Sequence, residues 1–437
     1  MVEPSLYAVV ALYLGIAAVY SILQERKRRM HAAAGPLAPP GPPWPSIDVV
    51  LPCYNEDPAL LAACCASLEA QDYPGELHVF VVDDGSSNRD ALHPVYRRYL
   101  RRPGWTVRLL QGNHGKRKAQ DVAVSAGSGE LVVTVDSDTV FARDGVRRLV
   151  GAFVDARVGA VTGDVRVSNA AHNRLTRLID ERYRLLFEHE RAAQSQVRSV
   201  LCCSGPFSAY RRSALEQVWG DYLTQTFLRR PSVAGDDLHL TNLVLASGYD
   251  SLYEPSAKAL TNVPTTLRRY LRQQLRWNRS FYRELGPTMR ALAERDHYLW
   301  LDVGARLLLP LLSAVGIVLA GAWVVLAVRE RAEPLPALAG FGMLAVMGLA
   351  SALLLGRKTS KARFVLLYGL IYLGLLIPVR FWALGTLRQN RWGTRRLARR
   401  RMEKRQATRP GTRTPQRRSC SSIMRTCLAA VTLPLRS

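Results

Sequence analysis

Residues 131–138 read LVVTVDSD, an apolar run that ends in two aspartates separated by one residue. The run is short and rich in β-branched residues, which favours a buried strand over a helix. Carboxylates placed in the turn after such a strand can hold a hard divalent cation, Mg²⁺ or Mn²⁺. We therefore predict that Asp136 and Asp138 are metal ligands, with a solvated turn as the alternative.

Other short apolar runs alternate with helical stretches on both sides of this segment. We predict strands over residues 47–52, 77–83, 107–110, 131–135 and 160–165, and helices near residues 59–70, 95–101, 118–126 and 144–155. This alternation indicates an α/β fold with a mainly parallel sheet and flanking helices. Ligands of such sheets bind at the carboxyl ends of the strands, which is where polar residues cluster in this sequence.

The polar residues at these strand ends are candidates for substrate contacts. Tyr54 and Glu56 follow the first predicted strand, and Asp83 and Asp84 follow the second. Carboxylates there can accept hydrogen bonds from ribose hydroxyls or a base N–H, with Asx turns in a structural loop as the alternative. Lys116 belongs to the basic loop GKRK at the start of a predicted helix, where a phosphate group can bind. A solvated charge run is the alternative for that loop.

The sequence GDD at residues 235–237 stands directly before a predicted helix over residues 238–247. A carboxylate at this position can take the proton from an attacking hydroxyl, which makes Asp237 the candidate general base. The alternative is a structural role, because aspartate is a favoured N-cap residue.

Residues 264–290 predict an amphipathic interfacial helix, because apolar residues recur at helical spacing and arginines cover much of the opposite surface. A soluble helix packed on the domain core is the alternative. Gln273, Arg276 and Trp277 lie on neighbouring parts of one face of this helix. Arginine can bind a pyrophosphate group and tryptophan can stack on a sugar ring, although the same pair can also anchor a helix among lipid headgroups.

The chain is divided by the positions of its apolar and basic residues. We predict a transmembrane anchor at residues 1–25, a basic and Pro-rich linker at 26–45, a cytoplasmic catalytic domain at 46–263, the interfacial helix at 264–290, membrane helices within 298–388 and a basic tail at 389–437. The first segment is a retained anchor rather than a signal peptide, because its basic flank follows the apolar run. That flank indicates that the catalytic domain faces the cytoplasm.

Composition excludes two other classes of protein. The formal net charge is +25, but no nucleic-acid recognition fold accompanies it, so we predict contact with anionic membrane lipid and no binding of nucleic acid. The seven cysteines are odd in number and form no paired CxxC motifs, which argues against a disulfide framework and a zinc site. Reduced cytosolic thiols are the expected state.

The motifs occur in an order that resembles the processive family 2 glycosyltransferases: DDG at 83–85, DSD at 136–138, GDD at 235–237 and QQLRW at 273–277, followed by apolar segments. GKRKAQ at 115–120, CCSGP at 202–206, NRSFYRE at 278–284 and WGTR at 392–395 look most like hyaluronan synthases. The stretch YLRQQLRW at 270–277 is also similar to rhizobial-type chitin-oligosaccharide synthases. The resemblance covers about residues 44–395 and implies a GT-A-type fold.

The resemblance also implies a role for each candidate residue. It implies that Asp83 and Asp84 hold the uridine near Lys116, and that Asp136 and Asp138 bind nucleotide and metal. By the same resemblance, Asp237 is the general base and Cys203 lines the acceptor pocket. The resemblance further implies that diphosphate and acceptor are bound by Gln273, Arg276 and Trp277, and that Arg395 helps to close over the diphosphate.

Two products are compatible with the resemblance. The first is hyaluronan, made from UDP-GlcNAc and UDP-GlcA by an inverting enzyme of the cell membrane that retains the nascent polysaccharide and moves it across the bilayer. The second is a chitin oligosaccharide made from UDP-GlcNAc alone. A membrane protein of another class, whose acidic loops are purely structural, is the alternative that the ordered acids and the Arg/Trp helix argue against.

Overall fold

The computed structural model describes residues 2–35, 41–329, 342 and 368–389. The strands are β1 (Ile47–Cys53), β2 (Leu77–Asp83), β3 (Trp105–Leu109), β4 (Leu131–Val135), β5 (Val140–Phe141), β6 (Val158–Val167), β7 (Phe207–Arg211), β8 (Thr226–Phe227), β9 (Arg230–Pro231) and β10 (Asp250–Thr261). The helices are α1 (Val2–Ala34), α2 (Pro58–Glu69), α3 (Arg89–Tyr99), α4 (Lys116–Ala126), α5 (Gly145–Leu149), α6 (Arg174–Leu185), α7 (Ala192–Gln196), α8 (Arg212–Leu223), α9 (Asp236–Ala246), α10 (Leu267–Ala291), α11 (His297–Arg329) and α12 (Tyr368–Gly385).

Eight of these strands form one sheet in the order β3-β2-β1-β4-β7-β6-β10-β5. The first four are parallel, whereas β7 runs antiparallel to both β4 and β6. Every residue of β1 and β4 is buried, as expected for continuous apolar strands covered on both faces by helices. The prediction of a GT-A-type, mainly parallel sheet with flanking helices is confirmed.

Some predicted boundaries are wrong, and three sheet strands were not predicted. The helix predicted over residues 95–101 begins at Arg89, because Pro94 lies in its second turn rather than before its start. The helix predicted over residues 144–155 is the short α5 followed by a 3₁₀ turn. The strands β5, β7 and β10 carry polar residues or are very short, so their sequences lack a clear period of two.

Three helices among the described residues are long and apolar enough to cross a membrane: Pro4–Ala34, His297–Arg329 and Tyr368–Gly385. The first continues as helix through the basic residues that were predicted as a linker from residue 26, because Glu25 pairs with Arg28 and Arg29 along the helix surface. The last contains a π-helical turn at Tyr372–Leu376. The apolar segment predicted near residues 335–355 and the basic tail lie outside the described residues.

A buried polar junction joins the apolar helices to the sheet domain. Asp302 of α11 accepts hydrogen bonds from the Tyr20 hydroxyl of α1, at 2.6 Å, and from the Gln194 side chain of α7, at 2.8 Å. Arg306, one turn further along α11, forms an ion pair with Glu190 at 2.9 Å. Because a buried charge is costly without partners, this pairing fixes how α1 and α11 meet the domain.

Candidate active site

Lys116, the first residue of α4, lies between carboxylates that come from two distant parts of the chain. Its Nζ is 2.8 Å from Asp136 Oδ1, after β4, and 3.1 Å from Asp236 Oδ2, in the first turn of α9. Burial alone would lower the pKa of Lys116, but Asp136 and Asp236 raise it well above its usual value. The ammonium therefore stays charged, and it brings the GKRK, DSD and GDD segments together at the carboxyl edge of the sheet.

Glycine at position 205 leaves the space around this ammonium open. A Cβ atom there would lie 3.2 Å from Lys116 Nζ and 3.7 Å from Asp136 Oδ2. The backbone N–H of Gly205 also donates a hydrogen bond to Asp237 Oδ2, at 3.3 Å. Gly205 therefore contributes only backbone to the region between Lys116 and Asp237.

Asp138 and its neighbours form a group of like charges. The Ser137 hydroxyl donates to Glu56 Oε2 at 2.6 Å, and Thr261 donates to Asp138 Oδ1 at 3.2 Å. Burial, with the nearby carboxylates of Asp136 and Glu56, raises the pKa of Asp138 to about 7. Such repulsion is what a bound cation would relieve.

The donor set fits a cation that is only partly held by protein. No group of three or more His, Cys, Asp or Glu side chains arranged to hold a metal ion occurs among the described residues. Mg²⁺ is commonly bound by one or two carboxylates, with water and substrate phosphate oxygens completing the octahedron. Asp136 and Asp138 supply those two carboxylates at the edge where a diphosphate would lie.

Asp83 and Asp84 build the loop beside the site instead of presenting carboxylates to it. Asp83 is fully buried and accepts hydrogen bonds from Ser86 N, Arg89 and the Tyr96 hydroxyl. Although burial opposes ionisation, these bonds lower the pKa of Asp83. The carboxylate of Asp84, 2% exposed, accepts from the Asn113 side chain and from the backbone N–H groups of residues 114 and 115. Protein donors already surround both carboxylates in this structure, and their direct contact with uridine stays a prediction.

Asp236 and Asp237 occupy the first turn of α9. The helix begins after Gly235, which has φ +80° and makes no side-chain cap hydrogen bond, so the alternative in which Asp237 is the N-cap is wrong. Burial and the adjacent Asp236 raise the pKa of Asp237, and Lys116 opposes them. Burial also opposes ionisation of Asp236, but Lys116 and Arg117 lower its pKa. The half-buried Asp237 is thus the more basic carboxylate of the two.

Gly235 should not tolerate alanine. An L side chain is strained at its positive φ, and a Cβ would lie 2.5 Å from the Cβ of Ser280 on α10. We expect Gly235→Ala to lower the free energy of unfolding by about 1–3 kcal/mol, measured by thermal unfolding in detergent. Gly220→Ala on α8 is the matched control, because no atom lies within 4 Å of its Cβ position. Equal stability of the two variants would contradict this close packing.

The two adjacent cysteines point to different environments. Cys203, predicted to line the acceptor pocket, has no exposed surface and belongs to the main core cluster. Its neighbour Cys202 is partly exposed, and burial together with the Asp237 carboxylate raises the pKa of its thiol. Cys202 is thus the more accessible of the two thiols near Asp237, and the place of Cys203 in the acceptor pocket stays a prediction.

The remaining candidates, Gln273, Arg276 and Trp277, belong to α10, which packs against α9. Trp277 is 41% exposed, whereas the side-chain oxygen of Gln273 is buried without a hydrogen-bond partner among the described residues. Tyr183 of α6 is partly buried and packs in the same cluster as Tyr270 and Leu271 of α10. Burial, together with the carboxylates of Asp138 and Asp136, raises the pKa of its hydroxyl, and Arg276 lowers it.

Several site residues were missed by sequence reasoning. Asp236 had a signal, since it is the middle residue of GDD, but its partner Lys116 is 120 positions away. Ser137 had the same kind of signal as the middle residue of DSD, whereas Thr261 and Tyr183 belong to no motif that would single them out. Tyr54 is half-buried at the same sheet edge, and Arg395 lies outside the described residues.

Comparison with known proteins places this site in a family. Residues 48–219 match Glycosyl transferase family 2. An N-acetylglucosaminyltransferase of Sinorhizobium fredii is 42% identical over 90% of this chain and 93% of its own length. The chain belongs to glycosyl transferase family 2. Another N-acetylglucosaminyltransferase of the family, from Mesorhizobium japonicum, is 44% identical over 82% of this chain and 83% of its own.

A solved structure agrees with the fold of family 2. The mannosyltransferase PcManGT from Pyrobaculum calidifontis, solved with GDP-Man and Mn²⁺, superposes with a TM-score of 0.64. It is 23% identical and covers 87% of this chain and 99% of its own. The family assignment makes this chain a glycosyltransferase, but these relatives favour the predicted alternative, N-acetylglucosaminyl transfer, over hyaluronan synthesis.

Proposed function

We propose that this chain is a membrane-embedded, inverting N-acetylglucosaminyltransferase that uses UDP-GlcNAc to build a chitin-type oligosaccharide. The observation that carries the proposal is the 42% identity to the Sinorhizobium fredii N-acetylglucosaminyltransferase over nine-tenths of the chain. The site supports the same reaction, because Lys116 gathers the carboxylate segments at the carboxyl edge of the sheet. UDP-GlcA is not part of this proposal, since nothing in these relatives points to it.

Asp237 is the proposed general base. Its raised pKa suits it to accept the proton of the acceptor hydroxyl, and its partly exposed position leaves it accessible. The hydroxyl oxygen then attacks the anomeric carbon as the bond to the UDP oxygen breaks on the opposite face, which inverts the configuration at that carbon. Lys116 and Arg276 supply positive charge for the leaving diphosphate, and Trp277 offers a ring for stacking on a sugar.

Asp136 and Asp138 are the residues that would hold Mg²⁺ or Mn²⁺. When bound, the cation supplies charge neutralisation for the diphosphate. The loop that holds Asp83 and Asp84 would form the surface on which the uridine rests. The backbone N–H of Gly115, the residue before Lys116, donates a hydrogen bond to Asp84. Through this loop, Asp83 and Asp84 would help to position the nucleotide.

The membrane part of the proposal rests on α1, α11 and α12. All three meet the length and hydropathy that a crossing requires, and the Asp302 junction joins two of them to the catalytic domain. With the basic flank of α1 on the cytoplasmic side, the domain would face cytosolic UDP-sugars, and basic residues near the bilayer would contact anionic lipid. The growing oligosaccharide would leave through the helices that pack on the domain.

Purified protein should release UDP and form product with UDP-GlcNAc as the sole donor. We expect chitinase to digest that product, and we expect neither UDP-GlcA to increase its amount nor hyaluronidase to degrade it. UDP release and mass spectrometry of the oligosaccharides are the measurements. A polymer that forms only when both donors are present would overturn the proposal and restore hyaluronan synthesis.

A further inference from the structure

Glu284 is a buried carboxylate on α10 that the reaction described above does not use. Only 2% of its surface is exposed, and it accepts hydrogen bonds from three side chains: Gln225, which precedes β8, and His239 and Asn242 of α9. The distances from His239 Nδ1 and Asn242 Nδ2 are 3.0 and 3.2 Å. One side chain of α10 thus satisfies donors from two other elements.

These contacts set the register between α10 and α9. Asn242 bonds both Glu284 and Thr288, the latter at 2.9 Å, and Gly235 at the start of α9 lies against Ser280. Each contact nearer the N-terminus of α9 involves a residue about one turn nearer the N-terminus of α10. One stripe of residues on α10 therefore runs along α9 toward its N-terminus. One more turn along that stripe leads from Ser280 to Arg276, whose backbone carbonyl accepts from the Ser280 hydroxyl.

This register carries the α10 candidates past the end of α9 that holds Asp237. Gln273 and Arg276 come one to two turns beyond Ser280, whose contact is with the residue directly before Asp236 and Asp237. A rotation or a slide of α10 along α9 would change the distance between Arg276 and Asp237. Glu284 resists both movements because it is fixed by two donors on α9.

The same carboxylate reaches the Lys116 side of the site through Gln225. The Gln225 side-chain N–H₂ donates to Glu284, and its oxygen accepts from Arg117, which also donates to the Tyr222 carbonyl at 2.8 Å. Arg117 directly follows Lys116. Three elements that carry site residues, namely α4, α9 and α10, therefore meet through one hydrogen-bonded chain.

We propose that Glu284 is a positioning residue for sugar transfer, which holds Arg276 and Gln273 at the correct distance from Asp237 and Lys116. The inference rests on the proposed function. Misplacement by about 1 Å of groups that orient a reaction can cost roughly a hundredfold in rate. The charge of Glu284 is not what the proposal requires; it requires an acceptor for Gln225, His239 and Asn242.

A neutral amide at this position should preserve the arrangement. The side-chain oxygen of Asn242 and Nε2 of His239 have no hydrogen-bond partner among the described residues. Rotation of the Asn242 amide, or movement of the His239 ring proton to Nε2, would therefore provide an acceptor for the new N–H₂ group of Glu284→Gln. In Glu284→Ala, by contrast, Gln225 and His239 lose the acceptor of these hydrogen bonds, and Asn242 keeps only Thr288.

The test compares kcat, the KM for UDP-GlcNAc and UDP affinity by calorimetry in the full-length enzyme. We expect Glu284→Ala to lower kcat ten- to a hundredfold and to weaken UDP binding as well, because Arg276 is assigned to the diphosphate. Glu284→Gln should stay within about threefold of the wild type. Thr288→Val, which removes one hydrogen bond from the same interface farther from the site, should also keep a near-normal kcat.

Two results would overturn the positioning role. In the first, Glu284→Ala has a lowered thermal midpoint but an unchanged kcat per molecule that binds UDP. A purely structural contact would give this result. The second is an equal loss in Glu284→Ala and Glu284→Gln, which would assign the effect to charge.

If Glu284→Ala does not fold, Asn242→Ala replaces it, with an expected three- to tenfold loss of kcat, and an unchanged kcat there would overturn the role as well. A wild type that is inactive with UDP-GlcNAc but active with another UDP-sugar refutes the proposed function alone, because the same comparison then runs with that donor.

Discussion

Asp237→Asn should lower the rate of sugar transfer by roughly a hundredfold or more, because an amide cannot accept the acceptor's proton at neutral pH. UDP affinity should change little, since the diphosphate is assigned to Lys116, Arg276 and the cation. The helix start should also survive, as Gly235 and not Asp237 occupies the N-cap position. UDP release measures the transfer, and calorimetry measures the binding.

Asp221→Asn on the exposed surface of α8 is the matched control for this experiment, because it makes the same chemical change away from the site. A thermal melt must accompany each variant, so that lost activity is not lost folding. Near-normal transfer by Asp237→Asn would reject the base assignment. Asp236 would then be the remaining carboxylate of the first turn of α9, although its lowered pKa makes it a weaker base.

Asp138→Asn should abolish turnover and, in the presence of EDTA, make the protein more stable. Burial and the Asp136 and Glu56 carboxylates raise the pKa of Asp138 to about 7, whereas an aspartate in the unfolded chain titrates near 4. The ionised group therefore destabilises the fold above pH 4, and this penalty is complete only above pH 7. Removing it should add roughly 1–3 kcal/mol to the free energy of unfolding at pH 8.

The pH dependence gives this prediction its sign. The gain in thermal midpoint of Asp138→Asn over the wild type should be larger at pH 8 than at pH 5.5, because the wild-type carboxyl is mostly protonated at the lower pH. Added Mn²⁺ should stabilise the wild type, more strongly at pH 8 than at pH 6, and should leave Asp138→Asn unaffected. Full wild-type activity in EDTA would show that the turn is structural. So would a gain in thermal midpoint of Asp138→Asn that does not depend on pH.

The central strands and the carboxylate turn were predictable because their chemistry is local. The bounds of β2 and β4 match the prediction, since a strand buried on both faces is a continuous apolar run with a sharp polar end. The link from Lys116 to Asp236 was not predictable, because it joins positions far apart in sequence. Likewise, Asp83 reads as a ligand in sequence, and only the fold supplies Arg89 and Tyr96 as its partners.

Two details lay beyond what the sequence alone could resolve. Cys202 and Cys203 are adjacent and chemically identical, yet one is partly exposed near Asp237 and the other has no exposed surface. No local pattern distinguishes them, because their segment leads into the unpredicted strand β7. The choice between hyaluronan and a chitin-type product was also beyond the motifs, because stretches such as YLRQQLRW at 270–277 resemble both kinds of synthase. The N-acetylglucosaminyltransferase relatives favour the second product.

Because β7 is antiparallel to β4, two separate parts of the sequence meet at the carboxyl edge of β4. Phe207 pairs with Val135, so β7 begins at the sheet edge beside Asp136 and runs in the opposite direction to its two neighbours, β4 and β6. Residues 47–138 therefore supply the four parallel strands and the carboxylate turn as one continuous block, while a later stretch of chain brings residues 202–206 to the same edge. Because the two parts are separate in sequence, we expect changes in residues 202–206 to leave the register of the first four strands as it is. Exchange of that stretch between relatives would therefore test its part in the proposed reaction without altering the strand that carries Asp136.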